Sequence, residues 1–387
     1  MNSNFVKWLG LAIALAALTA CNRDKGAVAE QDITLVRIGS VAPLTGPQAH
    51  LGRDNDSGVR LAVEELNASG MKIGDKPVRI ELYSEDDQAD PRTATIVAQK
   101  LADKGVNAVI GHLNSGTTIP ASKIYHDAGI PQVSPSATAV AYTSQGFKSA
   151  FRVMTNDRQQ GEVLGRFAVT KLGAKKVAII DDRTAYGQGL ADEVAAAVKA
   201  NGGTVIAREF TSDRSTDFMA ILTSVKARQP DLVFYGGMDG QAAPMIKQLR
   251  ALGLKAMFMG GDGMQSHEFL RLAGNDSDGV VASSPGLPLD DMPGGTAFRE
   301  KFESKYGVIQ NYAPYAYDAT MTLVEAMRAA GSPDPARYLP ELARIARQGV
   351  TGVIAFDANG DIRDGAITMY RVKDGKWSVL ETLKGGS

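Results

Sequence analysis

The chain has 387 residues, with 42 Lys and Arg against 43 Asp and Glu, so its formal net charge is −1. That length suits two domains, and an apolar fraction of 44% is enough for buried cores, which excludes wholesale disorder. The balanced charge argues against a nucleic-acid-binding protein, which carries an excess of basic residues. A single cysteine excludes a disulfide within the chain and a cysteine-held metal cluster, and four scattered histidines argue against a zinc enzyme.

Residues 1–20 have the pattern of a secretory signal peptide. Lys7 precedes an almost entirely apolar run from Trp8 to Ala20. At about 1.5 Å per residue, this run is too short to span a bilayer of about 30 Å. It ends in the sequence LTAC, which is similar to the lipidation signal of bacterial lipoproteins, and Cys21 is the only cysteine. We therefore expect lipidation at Cys21 and a flexible tether over 21–32; the alternative is a plain signal peptide that is cut near Ala20.

Strand and helix patterns alternate after the tether. Short apolar or alternating runs predict strands, and apolar residues at helical spacing predict helices. In chain order we expect strand 34–42, helix 54–67, strand 77–83, helix 91–101, strand 107–110, helix 117–128 and strand 132–134. The pattern resumes with strand 176–180, helix 187–200, strand 204–210, helix 217–228, strand 232–235, helix 242–252, strand 256–259 and strand 280–283.

The C-terminal part follows a different order. Helices are predicted over 295–306, 315–330 and 335–347, and strands over 353–356, 366–372 and 377–382. Alternating strands and helices imply βαβ units and parallel sheets. The sequence therefore predicts an α/β protein with two similar Rossmann-like units, near 33–150 and 155–283, which the C-terminal elements complete.

The residues that follow each predicted strand are candidates for a site, because ligands of open parallel sheets bind beyond the carboxyl ends of the strands. Strand 107–110 leads into GHLNSGTT at 111–118, where hydroxyl groups and helix N–H groups suit a carboxylate or phosphate. The alternative is that Ser115 or Thr117 only caps the helix. Strand 132–134 leads into a second hydroxyl-rich turn, SPSAT at 134–138, for which an ordinary surface loop is the alternative.

The second half offers an aromatic residue and an acid at equivalent places. Tyr186 follows strand 176–180 and either covers a ligand or only packs against the protein. Asp262 lies among glycines after strand 256–259, where it suits an ammonium group; a turn or cap role is the alternative. Donors for an anion on one side and a carboxylate on the other suit a small zwitterion held between two lobes.

Taken together, these segments resemble the leucine/isoleucine/valine-binding protein family, the type I periplasmic binding proteins that serve ABC importers. The resemblance covers residues 33–382 and depends on the order and spacing of short motifs. These are Gly46-Pro47, Asp86-Asp87, Asp90-Pro91, VIGHL at 109–113, Pro120-Ala121-Ser122, Ser136-Ala137-Thr138, YGQGLA at 186–191, Tyr235-Gly236-Gly237, Phe258-Met259-Gly260 and Gly360-Asp361.

The resemblance implies a two-lobed architecture, an α/β fold with parallel-rich sheets. Three hinge crossings would join the lobes, near 152–156, 284–287 and 363–366. Lobe 1 would then consist of 33–153 plus 285–364, and lobe 2 of 154–284 plus 365–387.

The resemblance also implies roles for individual residues. Ser115 and Thr138 would hold the α-carboxylate of an amino acid, and the Ser136 carbonyl with the Thr138 hydroxyl would receive its α-ammonium group. Asp262 stands where the family often has a Glu that binds the ammonium group, and Tyr186 matches an aromatic residue that closes over the ligand. The rest of the expected site consists of Asn114 and Ala137 beside these residues, and of Leu51, Met238 and Tyr312 around the ligand side chain.

We therefore expect an extracytoplasmic substrate-binding protein that delivers a small amino acid, with a branched-chain aliphatic one first, to the permease of an ABC importer. We expect a monomer that a lipid anchors to a bacterial membrane, with no cofactor, no metal, no nucleic-acid partner and no enzymatic activity. The main alternative is a sensor or regulator of the same fold that recognises an amide or another small acid. An enzyme using an acidic pair such as Asp86-Asp87 or Asp181-Asp182 is a weaker alternative.

Overall fold

The computed structural model describes residues 33–384. The predicted signal peptide, the lipidation of Cys21 and the tether lie outside the described residues. Within 33–384, none of the helices combines the length and the apolar character that crossing a membrane requires.

Most of the strands lie close to the predicted positions, and three short ones were not predicted. They are β1 (Thr34–Ala42), β2 (Lys72–Ile73), β3 (Lys76–Asp86), β4 (Ala108–Gly111), β5 (Gln132–Ser134), β6 (Ala150–Arg152), β7 (Lys176–Asp181), β8 (Thr204–Phe210), β9 (Leu232–Gly236), β10 (Met257–Gly260), β11 (Val281–Pro285), β12 (Ala346–Gln348), β13 (Val353–Ala355), β14 (Ala366–Lys373) and β15 (Lys376–Lys384).

The helices alternate with these strands through most of the chain. They are α1 (Ala49–Ala68), α2 (Pro91–Asp103), α3 (Ser115–Asp127), α4 (Ala141–Ser144), α5 (Asp157–Thr170), α6 (Ala185–Ala200), α7 (Met219–Ala227), α8 (Asp239–Ala251), α9 (His267–Ala273), α10 (Gly295–Tyr306), α11 (Ala313–Ala329) and α12 (Pro335–Ala343). Short 3-10 helices cover Asp262–Met264, Gly274–Ser277 and Leu289–Asp291.

Two mostly parallel sheets organise these elements. The first has the order β2-β3-β1-β4-β5-β6 and is parallel except for the β2–β3 pair. The second has the order β15-β14-β11-β10-β9-β7-β8 and is antiparallel only where β14 pairs with β11 and β15. Strands β12 and β13 form a separate pair. The predicted α/β class with parallel-rich sheets is confirmed.

The helices divide between the two sheets by their packing. Helices α1–α4 and α10–α12 pack with the first sheet or with each other, and α5–α9 pack with the second sheet or with each other. We call these groups the first unit and the second unit. Within 33–384 the chain passes between the units after β6, after β11 and before β14. The residue limits given above for the two lobes stay a prediction.

Helix α5 was absent from the sequence predictions, and its packing explains why. A Cβ atom at Gly161 would lie 2.4 Å from the Cβ of Glu193, and one at Gly165 would lie 2.5 Å from the Cβ of Ala197. These glycines weaken the helical pattern of the sequence but allow α5 to approach α6 closely. The helix start does carry a sequence signal, because Asn156 and Gln159 form a reciprocal capping box.

The predicted helix 335–347 was too long. The structure ends α12 at Ala343, and residues 346–348 form β12 instead. Strand β6 was also missed, since three buried residues carry too little periodicity to predict an element.

Arg152, the last residue of β6, is fully buried, and its guanidinium group joins distant parts of the chain. Nη1 donates to the carbonyl oxygens of Ala137 and Ala139, both at 2.9 Å. Nη2 donates to the Thr143 hydroxyl at 3.0 Å, and Nε and Nη2 donate to the Asp361 carboxylate at 3.0 and 2.5 Å. The first and third passages between the units are therefore held to each other and to the loop after β5.

We expect Arg152→Ala to lower the free energy of unfolding by about 3–5 kcal/mol, because it leaves the Asp361 carboxylate and two carbonyl groups without their charged donor. Urea denaturation measures this loss. Arg166→Ala is the matched control: Arg166 forms an exposed pair with Glu162 on α5, and its removal should cost about 1 kcal/mol or less. Equal losses for the two variants would contradict the assigned role of Arg152.

Candidate functional site

The carboxyl ends of strands from both sheets meet around one small cavity. Leu113, Asn114 and Ser115 follow β4, Ser136 follows β5, Tyr186 follows β7, Met238 follows β9 and Asp262 follows β10; with Tyr312 these residues line a space of about 10 Å³. This is the location at which parallel sheets bind ligands. A volume close to that of one water molecule cannot hold an amino acid, so the two walls must separate to admit one.

On the first wall, the N-terminus of α3 faces the cavity without a side-chain cap. The Ser115 hydroxyl accepts the N–H of Ala139 at 3.1 Å, and the Thr117 hydroxyl donates to the Asn114 carbonyl at 3.0 Å. Neither hydroxyl caps the helix, so the capping alternative is wrong. An uncapped helix N-terminus attracts anions through its N–H groups and its dipole.

The loop after β5 completes the first wall. The Ser136 hydroxyl donates to the Leu113 carbonyl at 3.1 Å, which ties this loop to the one after β4. Thr138 is fully buried, and its Oγ1 forms no hydrogen bond with any residue in 33–384. Ala137 and Thr138 lie next to the cavity in the chain but are not among its lining residues. The surface-loop alternative is wrong, since residues 134–138 are all buried.

On the second wall, Asp262 is buried and accepts hydrogen bonds from three side chains. Its Oδ1 accepts from the Tyr186 hydroxyl at 2.9 Å and from Gln160 Nε2 at 3.0 Å, and its Oδ2 accepts from the Tyr312 hydroxyl at 2.8 Å. Burial raises the pKa of Asp262, and these donors oppose the rise. A carboxylate has about four acceptor positions, so one on Oδ2 stays available for an ammonium group.

Tyr312 carries a role that the sequence did not predict. It was expected beside the ligand side chain, but its hydroxyl binds Asp262 and so connects the first unit to the second. The buried carboxylate of Asp54 fixes this residue by accepting the backbone N–H groups of residues 310–313 at 2.7–3.1 Å, which caps the start of α11.

Asp157, the first residue of α5, is a functional candidate that the sequence reasoning missed. It is 1% exposed, and neither carboxyl oxygen forms a hydrogen bond with any described residue. Burial raises its pKa to about 8, and the nearby charge of Asp262 adds to the rise. The Thr138 hydroxyl lies close enough to oppose this rise in the pKa of Asp157. Its Oγ1 does not, however, form a hydrogen bond of normal geometry.

Asp157 lies where the two units contact each other. Its backbone N–H donates to the Thr138 carbonyl of the first unit at 2.8 Å. On the other side, a Cβ atom at Gly189 of α6 would lie 3.6 Å from its Oδ2. The capping box at Asn156 was the sequence signal that could have pointed to this helix start.

Of the remaining side chains that line the cavity, two are apolar and one is an amide. Leu113 and Met238 supply apolar surface. Asn114 donates through Nδ2 to Gln48 Oε1 at 2.6 Å, while its Oδ1 has no hydrogen-bond partner among the described residues. Leu51, expected around the ligand side chain, is 1% exposed in the hydrophobic core and does not line the cavity in this conformation.

A larger crevice of about 950 Å³ lies between the units at their flank, and it shares no lining residue with the small cavity. Two of its charged side chains, Asp290 and Arg299, pair with each other at 2.6 Å. It lacks a buried carboxyl group like that of Asp262, which distinguishes the small cavity, so we assign the candidate site to the small cavity. Among residues 33–384, no cluster of three or more His, Cys, Asp or Glu side chains could hold a metal ion.

The two sheets and the cavity between them define a two-unit protein with a site for a small ligand. Comparison with known proteins agrees: the periplasmic binding protein family model matches residues 35–376. The chain is 37% identical to Leu/Ile/Val-binding protein homolog 1 of Brucella abortus, over 97% of this chain and 99% of that protein. The chain therefore belongs to the periplasmic binding protein family.

Solved structures support the same conclusion. A leucine-binding protein from Thermotoga maritima superimposes with a TM-score of 0.84 at 28% identity, covering 90% of this chain and 98% of that chain. The branched-chain amino acid transporter substrate-binding protein of Streptococcus pneumoniae, solved in complex with isoleucine, gives a TM-score of 0.82 at 28% identity, covering 91% of this chain and 100% of that chain.

We expect Asp262→Asn to weaken ligand binding about 100-fold or more. The variant removes the negative charge that would face the ammonium group of an amino acid, a loss of roughly 3–5 kcal/mol for a buried pair. Isothermal calorimetry with leucine measures the change. Asp278→Asn, at an exposed position of the second unit, should bind like the wild type. Wild-type affinity in Asp262→Asn would show that this carboxylate does not contact the ligand.

Proposed function

We propose that this protein is the extracytoplasmic substrate-binding component of an ABC importer and that it binds a branched-chain aliphatic amino acid between its two units. The membership of the family supports the transport role, and the relatives named for leucine, isoleucine and valine support the ligand class. The protein would bind its ligand without chemical change and deliver it to a membrane permease.

This proposal depends on one observation: the two walls of the cavity favour ligand groups of opposite charge. The first wall presents the uncapped N-terminus of α3 with the Ser115 hydroxyl, which suits a carboxylate. Asp262 lies buried on the opposite wall, and Asp157 lies buried near it. Neither carboxyl group has a cationic partner at hydrogen-bond distance among the described residues. A free α-amino acid carries both complementary charges a short distance apart.

The same charges explain why the ligand would control closure. Closing the cleft buries Asp157 with neither oxygen hydrogen-bonded, and the rise of its pKa to about 8 reflects the unfavourable desolvation. An ammonium group between Asp157 and Asp262 supplies the missing positive charge. The closed form is then favoured when ligand is bound, which is the difference that a permease would recognise.

The apolar part of the cavity supports an aliphatic side chain. Leu113 supplies a fixed apolar surface, and the flexible side chain of Met238 adapts to side chains of different shape. Tyr186 and Tyr312 add aromatic surface while their hydroxyl groups stay bound to Asp262. This composition suits leucine, isoleucine and valine better than a charged side chain.

The N-terminal sequence supports a location outside the cytoplasm. A signal peptide over 1–20 would direct export, and lipidation at Cys21 would hold the mature protein at a bacterial membrane through the tether over 21–32. We propose that the anchored protein is a monomer with two lobes, divided as 33–153 plus 285–364 and 154–284 plus 365–387.

A thermal-shift screen of amino acids, their amides and small organic acids tests the function. Leucine, isoleucine or valine at about 100 times its dissociation constant should stabilise the protein by about 2.7 kcal/mol. Stabilisation by amides or simple acids alone would instead favour a sensor or regulator of the same fold. Chromatography of the incubated ligand should show no product; turnover would refute a pure binding role.

We expect Asp157→Asn to make the ligand-free protein more compact. The variant buries a neutral amide in place of an unpaired carboxyl group, so closure without ligand becomes less unfavourable. Small-angle X-ray scattering should give a smaller radius of gyration than for the wild type and a smaller contraction when leucine is added. Asp182→Asn is the control, because Asp182 is also buried with a raised pKa but its carboxylate accepts hydrogen bonds from Thr184 within the second unit. An unchanged radius in Asp157→Asn would contradict the account of closure.

A further inference from the structure

A histidine of the first unit contacts a buried acid of the second unit next to the cavity. His50 lies in the first turn of α1, and Asp239 is the first residue of α8. His50 Nε2 lies 2.7 Å from Asp239 Oδ2, although the two residues are 189 positions apart in the chain. Because a carboxylate oxygen only accepts, the Nε2–H group of His50 is the donor.

The surroundings of Asp239 favour a positively charged partner. Asp239 is fully buried; its Oδ2 also accepts the Ser266 hydroxyl at 2.5 Å, and its Oδ1 has no hydrogen-bond partner among the described residues. The side chain of His50 keeps 21% of its surface exposed, so its ring can exchange protons with solvent. The pair therefore combines a desolvated carboxylate with a titratable donor.

This contact adjoins the ligand cavity on both sides. Asp239 directly follows Met238, which lines the cavity, and His50 lies two residues after Gln48, which binds the cavity residue Asn114. Opening the two units would separate α1 from α8 and break the contact between His50 and Asp239. The contact consequently belongs to the closed form.

The charges that face His50 are negative. They come from Asp239 on α8, from Glu268 on α9 and from Asp54 on α1 itself. Of these, Glu268 is also paired with Arg271, and Asp54 accepts four backbone N–H groups. Burial lowers the pKa of His50, but the hydrogen bond with Asp239 and these charges outweigh burial, so the net direction is upward.

We propose that His50 is a positioning residue that links closure of the two units, and hence ligand affinity, to pH through its contact with Asp239. The inference rests on the proposed binding function. Because the pKa of His50 is higher in the closed form than its ordinary value near 6.5, closure favours the protonated ring. The gain is complete below the ordinary pKa and is lost as the pH rises through the closed-form pKa.

Calorimetry with leucine between about pH 5.5 and pH 8 tests the proposal on the wild type, His50→Gln and His126→Gln. Gln keeps a hydrogen-bond donor but cannot take a charge, and His126 is an exposed histidine of the first unit outside the cavity. As the pH rises from about 5.5 to 8, the affinity of the wild type for leucine should decrease about fivefold more than the affinity of His50→Gln. His126→Gln should follow the wild type.

The comparison isolates His50 from other groups that titrate in the same range. Asp157, with a pKa raised to about 8, is present in all three proteins, so its contribution cancels in the difference between wild type and variant. Asp239→Asn should remove the same part of the pH dependence as His50→Gln. A pH profile of His50→Gln that parallels the wild type would overturn the proposal.

A second readout keeps the inference testable if leucine is not the ligand. Small-angle X-ray scattering of the ligand-free protein should give a smaller average radius at pH 6 than at pH 8 for the wild type, and a weaker dependence for His50→Gln. Failure of the thermal-shift screen with a preserved scattering difference would reject the proposed ligand alone. Identical scattering profiles for the two proteins would reject the role of His50.

Discussion

The constraint on which the rest of the structure depends is the burial of carboxyl groups where the two sheets face each other. Asp157 and Asp262 are almost completely withdrawn from water, and of the two only Asp262 accepts hydrogen bonds from side chains within 33–384. Burial of negative charge without a cation is unfavourable. In the proposed mechanism, opening the cleft would return the groups to water, and a ligand with an ammonium group would stabilise the closed form.

The scaffold keeps these groups in place through buried polar contacts rather than through apolar packing alone. Arg152 holds the loop after β5 and Asp361 together. Asp54 fixes the start of α11 and thereby the hydroxyl of Tyr312. Each arrangement links segments far apart in sequence, so the cavity depends on contacts that form only when the whole chain has folded.

Local patterns explain what could be predicted from the sequence. Strands such as 204–210 and the helix 295–306 had the predicted limits, because periodicity and turn residues are local signals. Ser115, Ser136, Tyr186 and Asp262 were found because the ends of parallel strands define where a ligand binds, and Met238 was expected from the family resemblance. Asp157, Gln160 and the hydroxyl of Tyr312 were missed because their roles arise from contacts with Asp262 and Thr138 across the fold. Leu51 was expected near the ligand, but its helix turns it into the core.

The central claim is that the cavity recognises both charges of a small amino acid, and calorimetry with three matched ligands tests it most directly. Leucine carries both charges, 4-methylpentanoate lacks the ammonium group, and isoamylamine lacks the carboxylate. The account predicts that leucine binds and that each analogue binds about 100-fold more weakly or worse, because one buried half of the site loses its partner. Affinity equal to that of leucine for either analogue would contradict it.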